Sequence, residues 1–517
     1  MITKDREIWH YANDGYFIGM VGSVDKNNIG VFDNSYAALP EQFYERIQPV
    51  AVKAPTLVRL NDALAKELQL DLRHLNQDAM AALFAGNTLA QGTDPIAQAY
   101  SGHQFGHFSG QLGDGRAILL GEVIDRSGKR RDIQLKGSGR TRFSRSGDGR
   151  AALGPVIREY ILSESMHCLG IPTTRSLAMV TTGEEVMRET PLPGAVLTRI
   201  ASSHIRVGTF QYFSSRQDAE AVKQLADYVI ERHYPEVKEE QNAYLALLKS
   251  IANRQASLIA KWMHVGFIHG VMNTDNSAIS GETIDYGPCA FMDEYDPGTV
   301  FSSIDQRGRY AYDNQANIAH WNLTRLAECL LGLFDKNQAQ SIKMAEEVLA
   351  VFPITFEEYW LKGMCWKIGI NERQSEDVLL IQDLLALMQK HKTDYTLGFR
   401  YLCDGIEASE EASVLKGLFS NDSQFDAWCG RWRKRLLQGK KSPAEITQSM
   451  RSVNPAFTPR NHRVQQAIEA AVNNNDFSKT EDLIKVLSNP FEDQPSKVAY
   501  MDPPKSEERV LETFCGT

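Results

Sequence analysis

"HGVMNTDNSAISGETIDYGP", His269 to Pro288, carries a spaced set of hard oxygen donors. Asn276 lies seven residues after His269, and Asp285 nine residues further on. An Asn amide oxygen and an Asp carboxylate are hard donors, suited to Mg²⁺ or Mn²⁺ held against phosphate. A calcium loop is excluded. Counting Asn273 as the first ligand puts Ala278 where the loop's glycine belongs and Ile284 where its Glu belongs. Any one of these residues alone is a turn former, and "NTDN" reads as a turn; the spacing makes the case.

That spacing is the one kinase-type catalytic loops use, with a metal-binding Asn after the His and a metal-binding Asp beyond it. Such loops place an Asp two residues after the His, as the base for the incoming hydroxyl. Here that place holds Val271, which accepts no proton. Asp275 is the nearest carboxylate. Three readings follow: a silent nucleotide-binding scaffold of pseudokinase type, a phosphotransferase with Asp275 as a relocated base, or an enzyme that uses the same parts for other chemistry. A pure scaffold has no need of a complete metal site, so retained ligands beside a lost base favour altered chemistry.

Upstream, "GQLGDGRAILLGEVIDRSGKRRDIQLKGSG" reads as a β-hairpin with its turn at Asp125 to Lys129, ending at Lys136. "ALGPVIREYILSESMHCLGIP" follows as a helix, with Pro155 in its first turn and Val156, Ile157, Tyr160 and Ile161 on one face. A strand lysine followed by a carboxylate on the next helix is the ion pair that fixes an ammonium against nucleotide phosphates. Lys136 and Glu159 stand in those places. Between Arg126 and Arg150 lie nine Lys or Arg and only two acids, Asp132 and Asp148, in a chain of net charge −9. Glycines let backbone N–H groups approach phosphate oxygens and arginines match them bidentately, so "KGSGRTRFSRSGDGR" favours a small polyphosphate over nucleic acid. Arg199 and Arg206 in "LTRIASSHIRVGTF" could clamp a triphosphate together. Gly113, Gly115 and Arg116 in "GQLGDGR" add a short glycine cluster that fits neither the Walker A nor the Rossmann pattern.

Farther out, "PTLVRLNDALAKELQL" has a helical look, "GAVLTRIA", "HIRVGTFQYF" and "ETIDYG" look like short strands, and helical texture dominates from Asp218. A strand-rich first part and a helical second part make an α+β, two-lobed plan. The Pro- and charge-rich tail "EDQPSKVAYMDPPKSEERVLETFCGT" is expected along the surface. The 517 residues are 43% hydrophobic and 23% charged, an ordinary globular composition. Nothing reaches the length of a membrane span, and "MITKDREIWHYANDG" has neither the apolar core of a signal peptide nor the acid-poor character of a transit peptide. Seven scattered cysteines without a CxxC pair suit a reducing cytoplasm and give no zinc site.

"QLKGSGRTRFSRSGDGRAAL", "HGVMNTDNSAISGETIDYGP", "VNPAFTPRNHRVQQAIEAA" and a cysteine third from the end resemble the selenoprotein O family of protein adenylyltransferases, from about residue 35 to the C-terminus. The resemblance implies a protein-kinase-like fold that binds ATP in reversed orientation and transfers AMP to Ser, Thr or Tyr hydroxyls of proteins, releasing pyrophosphate. It implies an N-terminal extension over 1–34, a nucleotide-binding lobe over 35–210, a helical lobe over 211–490 and a tail over 491–517. Lys136, Arg199 and Arg206 would bind phosphates, with Glu159 pairing Lys136. Gly113, Gly115, Arg116, Asp148 and Gly149 would line the nucleotide site. Asn276 and Asp285 would hold Mg²⁺ or Mn²⁺, and Asp275 would accept the proton. UTP is a second candidate donor. Neither nucleic acid nor membrane is an expected partner, and a monomer is expected. Some bacterial members pair the tail cysteine, here Cys515, with a cysteine sixteen residues after the metal Asp; that residue is Phe301 here, and Cys289 is the nearest substitute.

Overall fold

The structure is a computed structural model and describes residues 27–406 and 411–513. Its central sheet runs in the order β1 (Tyr44–Arg46), β3 (Ile96–Gln98), β6 (Ala117–Ile124), β7 (Arg130–Lys136), β10 (Pro191–Ala201), β9 (Arg175–Met187) and β2 (Thr56–Leu60), with the short β8 (Ala151–Ala152) beside β10. Every pairing in it is antiparallel. The hairpin read from the sequence is β6–β7. Its turn is tied by Asp125, whose Oδ1 accepts from the backbone N–H of Ser127 at 2.8 Å and of Lys129 at 2.9 Å, a side-chain mimic of a backbone turn.

Both faces of the sheet are covered, which explains its long apolar runs. Ile118 and Leu120 of β6 and Ile133 and Leu135 of β7 join a core with helices α1 (Asp62–Glu67) and α2 (Gln77–Ala85). On the other face, Met179 and Leu197 pack against Ile157, Tyr160 and Ile161 of α3 (Leu153–Cys168). The same core takes in Phe457, Val464 and Ala467, so the C-terminal motif around helix Asn461–Asn474 braces α3 from outside. Each fully buried side chain of this kind contributes roughly 2 kcal/mol. α3 thereby holds Glu159 in a fixed position under the end of β7.

After the sheet the chain is mainly helical. α4 (Val207–Ser214) and α5 (Ala219–His233) lead to α6 (Ala243–His264), which packs with α7 (Gln315–Phe334) and α8 (Gln338–Lys367) in the largest apolar core. Between α6 and α7 lies the opening loop, residues 269–288, bounded by the small pair β11 (Phe267–Ile268) and β12 (Ala290–Phe291). A separate hairpin, β4 (Gly102–Gln104) and β5 (His107–Ser109), lies against that loop. Among the described residues, no helix is long and apolar enough to cross a membrane.

Three local expectations are corrected. "PTLVRLNDALAKELQL" is strand β2 followed by α1, because the Asn61 side chain caps the helix by accepting from Leu64 N at 3.1 Å, and the β-branched residues before it go to the sheet. "HIRVGTFQYF" is not a strand: α4 starts after Arg206, whose backbone N–H donates to Thr209 Oγ1 at 3.1 Å, and burial of Phe210 and Phe213 overrides their strand propensity. "ETIDYG" forms only an isolated bridge, Thr283 to Thr173, because Asp285 takes φ +62°, a left-handed conformation that ends an extended run. The tail follows expectation as far as residue 513: it is mostly exposed, with two short 3₁₀ turns.

Candidate active site

The end of β7, the middle of β10, α3 and the opening loop converge on one buried cluster. Lys136 Nζ donates to Glu159 Oε2 at 2.5 Å. Arg199 Nε donates to the other oxygen of Glu159, and its Nη2 donates to Asp285 Oδ1 at 2.6 Å. Arg206 Nη1 donates to Asp285 Oδ2 and to the Asp275 backbone carbonyl, each at 2.9 Å, while its guanidinium lies 4.5 Å from the Tyr100 ring centre. Three cations thus share two carboxylates. The surplus positive charge is the electrostatic condition for a polyanion.

The charges tune one another. Burial pushes the Glu159 carboxyl up, but Arg199 and Lys136 outweigh it and hold it below the usual range. Burial acts likewise on Asp285, where Arg199, Arg206 and Lys136 prevail and keep it well below. Lys136 is lowered by burial and by Arg199. Asp275 behaves differently. Burial raises it to about 6, and Arg206 offsets only part of that.

Asp275 is 7% exposed. Its Oδ2 accepts from Gln104 Nε2 at 3.2 Å, whereas its Oδ1 is buried with no hydrogen-bond partner among the described residues. A Cβ on Gly102 would stand 2.5 Å from that oxygen, so only glycine leaves it room. The opening loop is held beside it: His103 N donates to Thr274 Oγ1 at 2.7 Å, and Phe105 N to Asn273 Oδ1 at 3.1 Å. The Val271 carbonyl accepts from Asn276 Nδ2 at 2.9 Å.

That bond turns the Asn276 amide so that its Oδ1 is the atom left to offer. Asp285 stays ionised, and each of its oxygens accepts one arginine bond, leaving further lone pairs. These donors fit a hard divalent cation. Among the described residues no group of three or more His, Cys, Asp or Glu side chains is arranged for a metal. A cation here would therefore complete its shell with phosphate and water oxygens.

The remaining sequence candidates sit around this cluster. The Arg116 carbonyl accepts from Gly137 N at 2.7 Å, next to Lys136. Gly113 (φ +75°) lies under the Phe143 ring, where a Cβ would come within 2.2 Å. Gly149 (φ +71°) crosses Gly139 with the same 2.2 Å limit. The Asp148 side chain turns to Arg188 at 2.8 Å and accepts from the Arg150 N–H at 2.9 Å, so it does not point into the cluster. Cys289 is buried, and its carbonyl accepts from Arg158 Nη2 at 2.6 Å. Cys515 lies outside the described residues. Sequence reading missed Gln104, Gly102 and Tyr100; the one signal for them was the turn "FG" inside "GHQFGHF", too short to register as a hairpin.

Comparison with known proteins bears on this arrangement directly. A family model described as "Protein adenylyltransferase SelO" matches residues 29–488. The chain belongs to the SelO family. It is 58% identical over 503 residues to the protein nucleotidyltransferase YdiU of Rhizobium johnstonii, covering 96% of this chain and 100% of that relative. It is 58% identical over 488 residues to the YdiU protein of Bradyrhizobium diazoefficiens, covering 94% and 99%. For that of Agrobacterium fabrum the identity is 57% over 486 residues, again covering 94% and 99%. The SelO match begins at residue 29, and Ile29, Phe32 and Asp33 already touch the sheet or its apolar core: Ile29 is buried there, and Asp33 N donates to Glu122 O at 2.8 Å.

Proposed function

We propose that this chain transfers AMP from ATP to Ser, Thr or Tyr hydroxyls of proteins and releases pyrophosphate. The observation that carries the reading is the unbroken set of bonds Lys136–Glu159–Arg199–Asp285–Arg206–Asp275, beside a valine where a kinase keeps its base. Lys136, Arg199 and Arg206 are the phosphate-binding groups, with Glu159 setting the first two at a fixed spacing. Gly113, Gly115, Arg116, Asp148 and Gly149 line the nucleotide. Asp275, whose Oδ1 has no hydrogen-bond partner among the described residues, takes the proton of the acceptor hydroxyl. The hydroxyl oxygen then bonds to the α-phosphorus as the bond to pyrophosphate breaks. Transfer from the α-phosphate places the acceptor at a different point from γ-transfer, so no base is needed at Val271.

Asn276 and Asp285 would hold Mg²⁺ or Mn²⁺, which supplies charge neutralisation on the triphosphate when bound. The sheet over 35–210 and the helices over 211–490 are read as the two lobes of a kinase-like fold, with 1–34 and 491–517 as extensions. The scattered cysteines support a cytoplasmic location. UTP stands as a second donor, and a monomer as the working unit.

The products test this. Purified protein given ATP, Mg²⁺ and a hydroxyl-bearing protein acceptor should release pyrophosphate in step with modification of the acceptor. Release of ADP in its place would mean phosphotransfer.

A further inference from the structure

Beside the β4–β5 hairpin, Arg309 and the α7 residues Trp321 and Arg325 form a basic and aromatic face that the proposed transfer itself does not use. His103 packs against Trp321 at 5.2 Å and Phe108 at 5.0 Å between ring centres. The guanidinium of Arg309 lies 4.8 Å from the Trp321 ring centre and that of Arg325 5.1 Å from it. Phe108 is 45% exposed. Arg309 has no carboxylate partner among the described residues, and Arg325 has only Glu328, half exposed, at 2.6 Å. Asp305, four residues before Arg309, is occupied by the backbone N–H groups of Arg309 and Tyr310.

This face is tied to the base by short links. Gln104, next to His103, donates to Asp275. Tyr310, next to Arg309, donates its hydroxyl to Asn273 Oδ1 at 2.7 Å. An acceptor hydroxyl at Asp275 would therefore bring its neighbouring residues onto the Arg309–Trp321–Arg325 stack.

We propose that this face receives an acidic segment of the substrate protein, next to the hydroxyl that is modified. Stacking on Trp321 fixes the guanidinium planes before binding, so little side-chain freedom is lost when a carboxylate arrives. An Arg and aromatic surface is the composition of binding hot spots. The chain as a whole is acidic, at −9, and would repel an acidic partner elsewhere; the local positive face steers it to the base. The proposal rests on the reading of Asp275 as the base, and its test separates the two.

Fluorescent peptides with one Tyr flanked by Glu residues, and the same peptides with Lys for each Glu, are titrated with the full-length protein. The acidic peptide should bind at least about tenfold tighter, a difference of about 1.4 kcal/mol, and the preference should shrink as salt rises. In Arg309→Glu/Arg325→Glu the preference should vanish or reverse; in Arg309→Lys/Arg325→Lys, which keeps the charge, it should persist in weakened form. Equal binding of both peptides by the wild type, or a preference untouched by salt, overturns the proposal without needing any variant to fold. Displacement of the acidic peptide by an oligonucleotide at equal concentration would overturn it in favour of a nucleic-acid face. If the acidic peptide binds as expected yet accepts no label from α-labelled ATP, the reading of Asp275 fails while the surface stands.

Discussion

Glu159 holds Lys136 at 2.5 Å with one carboxylate oxygen and gives the other to Arg199, so a single buried side chain spaces two buried cations. Residues that act as a unit lose their effect together. Lys136→Ala and Glu159→Ala should each lower kcat/KM by roughly a hundredfold or more, and the double variant should be little worse than either. Losses that multiply would show two independent contributions.

Asp285 is the point where Arg199 and Arg206 meet. Asp285→Ala should abolish transfer, because the opening loop loses its link to β10 and, on the proposed reading, the triphosphate would lose a metal ligand. Asp275→Ala should leave nucleotide affinity nearly intact but slow transfer by about 10²–10⁴-fold, the range for a missing general base. Binding of a fluorescent ATP analogue and single-turnover labelling separate the two effects. Equal loss of affinity in both variants would contradict the division of roles.

The opening loop shows what was legible in the sequence and why the rest was not. His269, Asn276 and Asp285 could be read because their spacing is local, and the β6–β7 hairpin because Asp125 and Gly128 mark its turn. Glu159 was found because α3 has a regular apolar face. The left-handed Asp285 and the helix after Arg206 were missed, since both are set by partners far away in sequence. Asp285 is held by two arginines from the sheet side, and Gly208 of α4 backs onto Ser101 so closely that a Cβ would stand 2.1 Å from its carbonyl oxygen. Gln104 had only the short "FG" turn beside it as a signal, as its role exists only once the hairpin lies on the loop.

Lys367 gives a pH dependence that is independent of catalysis. It is 2% exposed, donates to Asn454 Oδ1 at 2.9 Å and lies 4.0 Å from the Phe399 ring centre, and burial pushes its amine down to about 7. The unfolded chain binds this proton up to about pH 10 while the folded chain has released it, so folding gains stability as pH rises from about 7 toward 10. This group should contribute a slope of about 1.4 kcal/mol per pH unit, absent below pH 7. Urea midpoints of wild type and Lys367→Met from pH 6 to about pH 9.5 should diverge in that window. Parallel curves would mean the amine stays protonated in the folded state.

The tail brings a redox expectation within reach. Thr513 donates its hydroxyl to the Pro288 carbonyl at 2.6 Å, and its N–H to the Phe301 carbonyl at 2.7 Å. Cys515 is two residues further along, at most about 7 Å of chain, and Cys289 follows Pro288. Mild oxidation should link Cys515 to Cys289 within one chain, a bond that peptide mass mapping detects. Cys515 found unmodified, or joined only between chains, would exclude the pairing.

Transfer of the α-phosphorus of ATP with Asp275 as base is decided by parallel reactions with ATP labelled at the α or at the γ phosphate, with Mg²⁺ and a protein acceptor. Label from the α position should become covalently attached to protein, none should arrive from the γ position, and Asp275→Ala should suppress the transfer. Label arriving from the γ position would make the loop at His269 a kinase site with a relocated base, and would contradict the assignment.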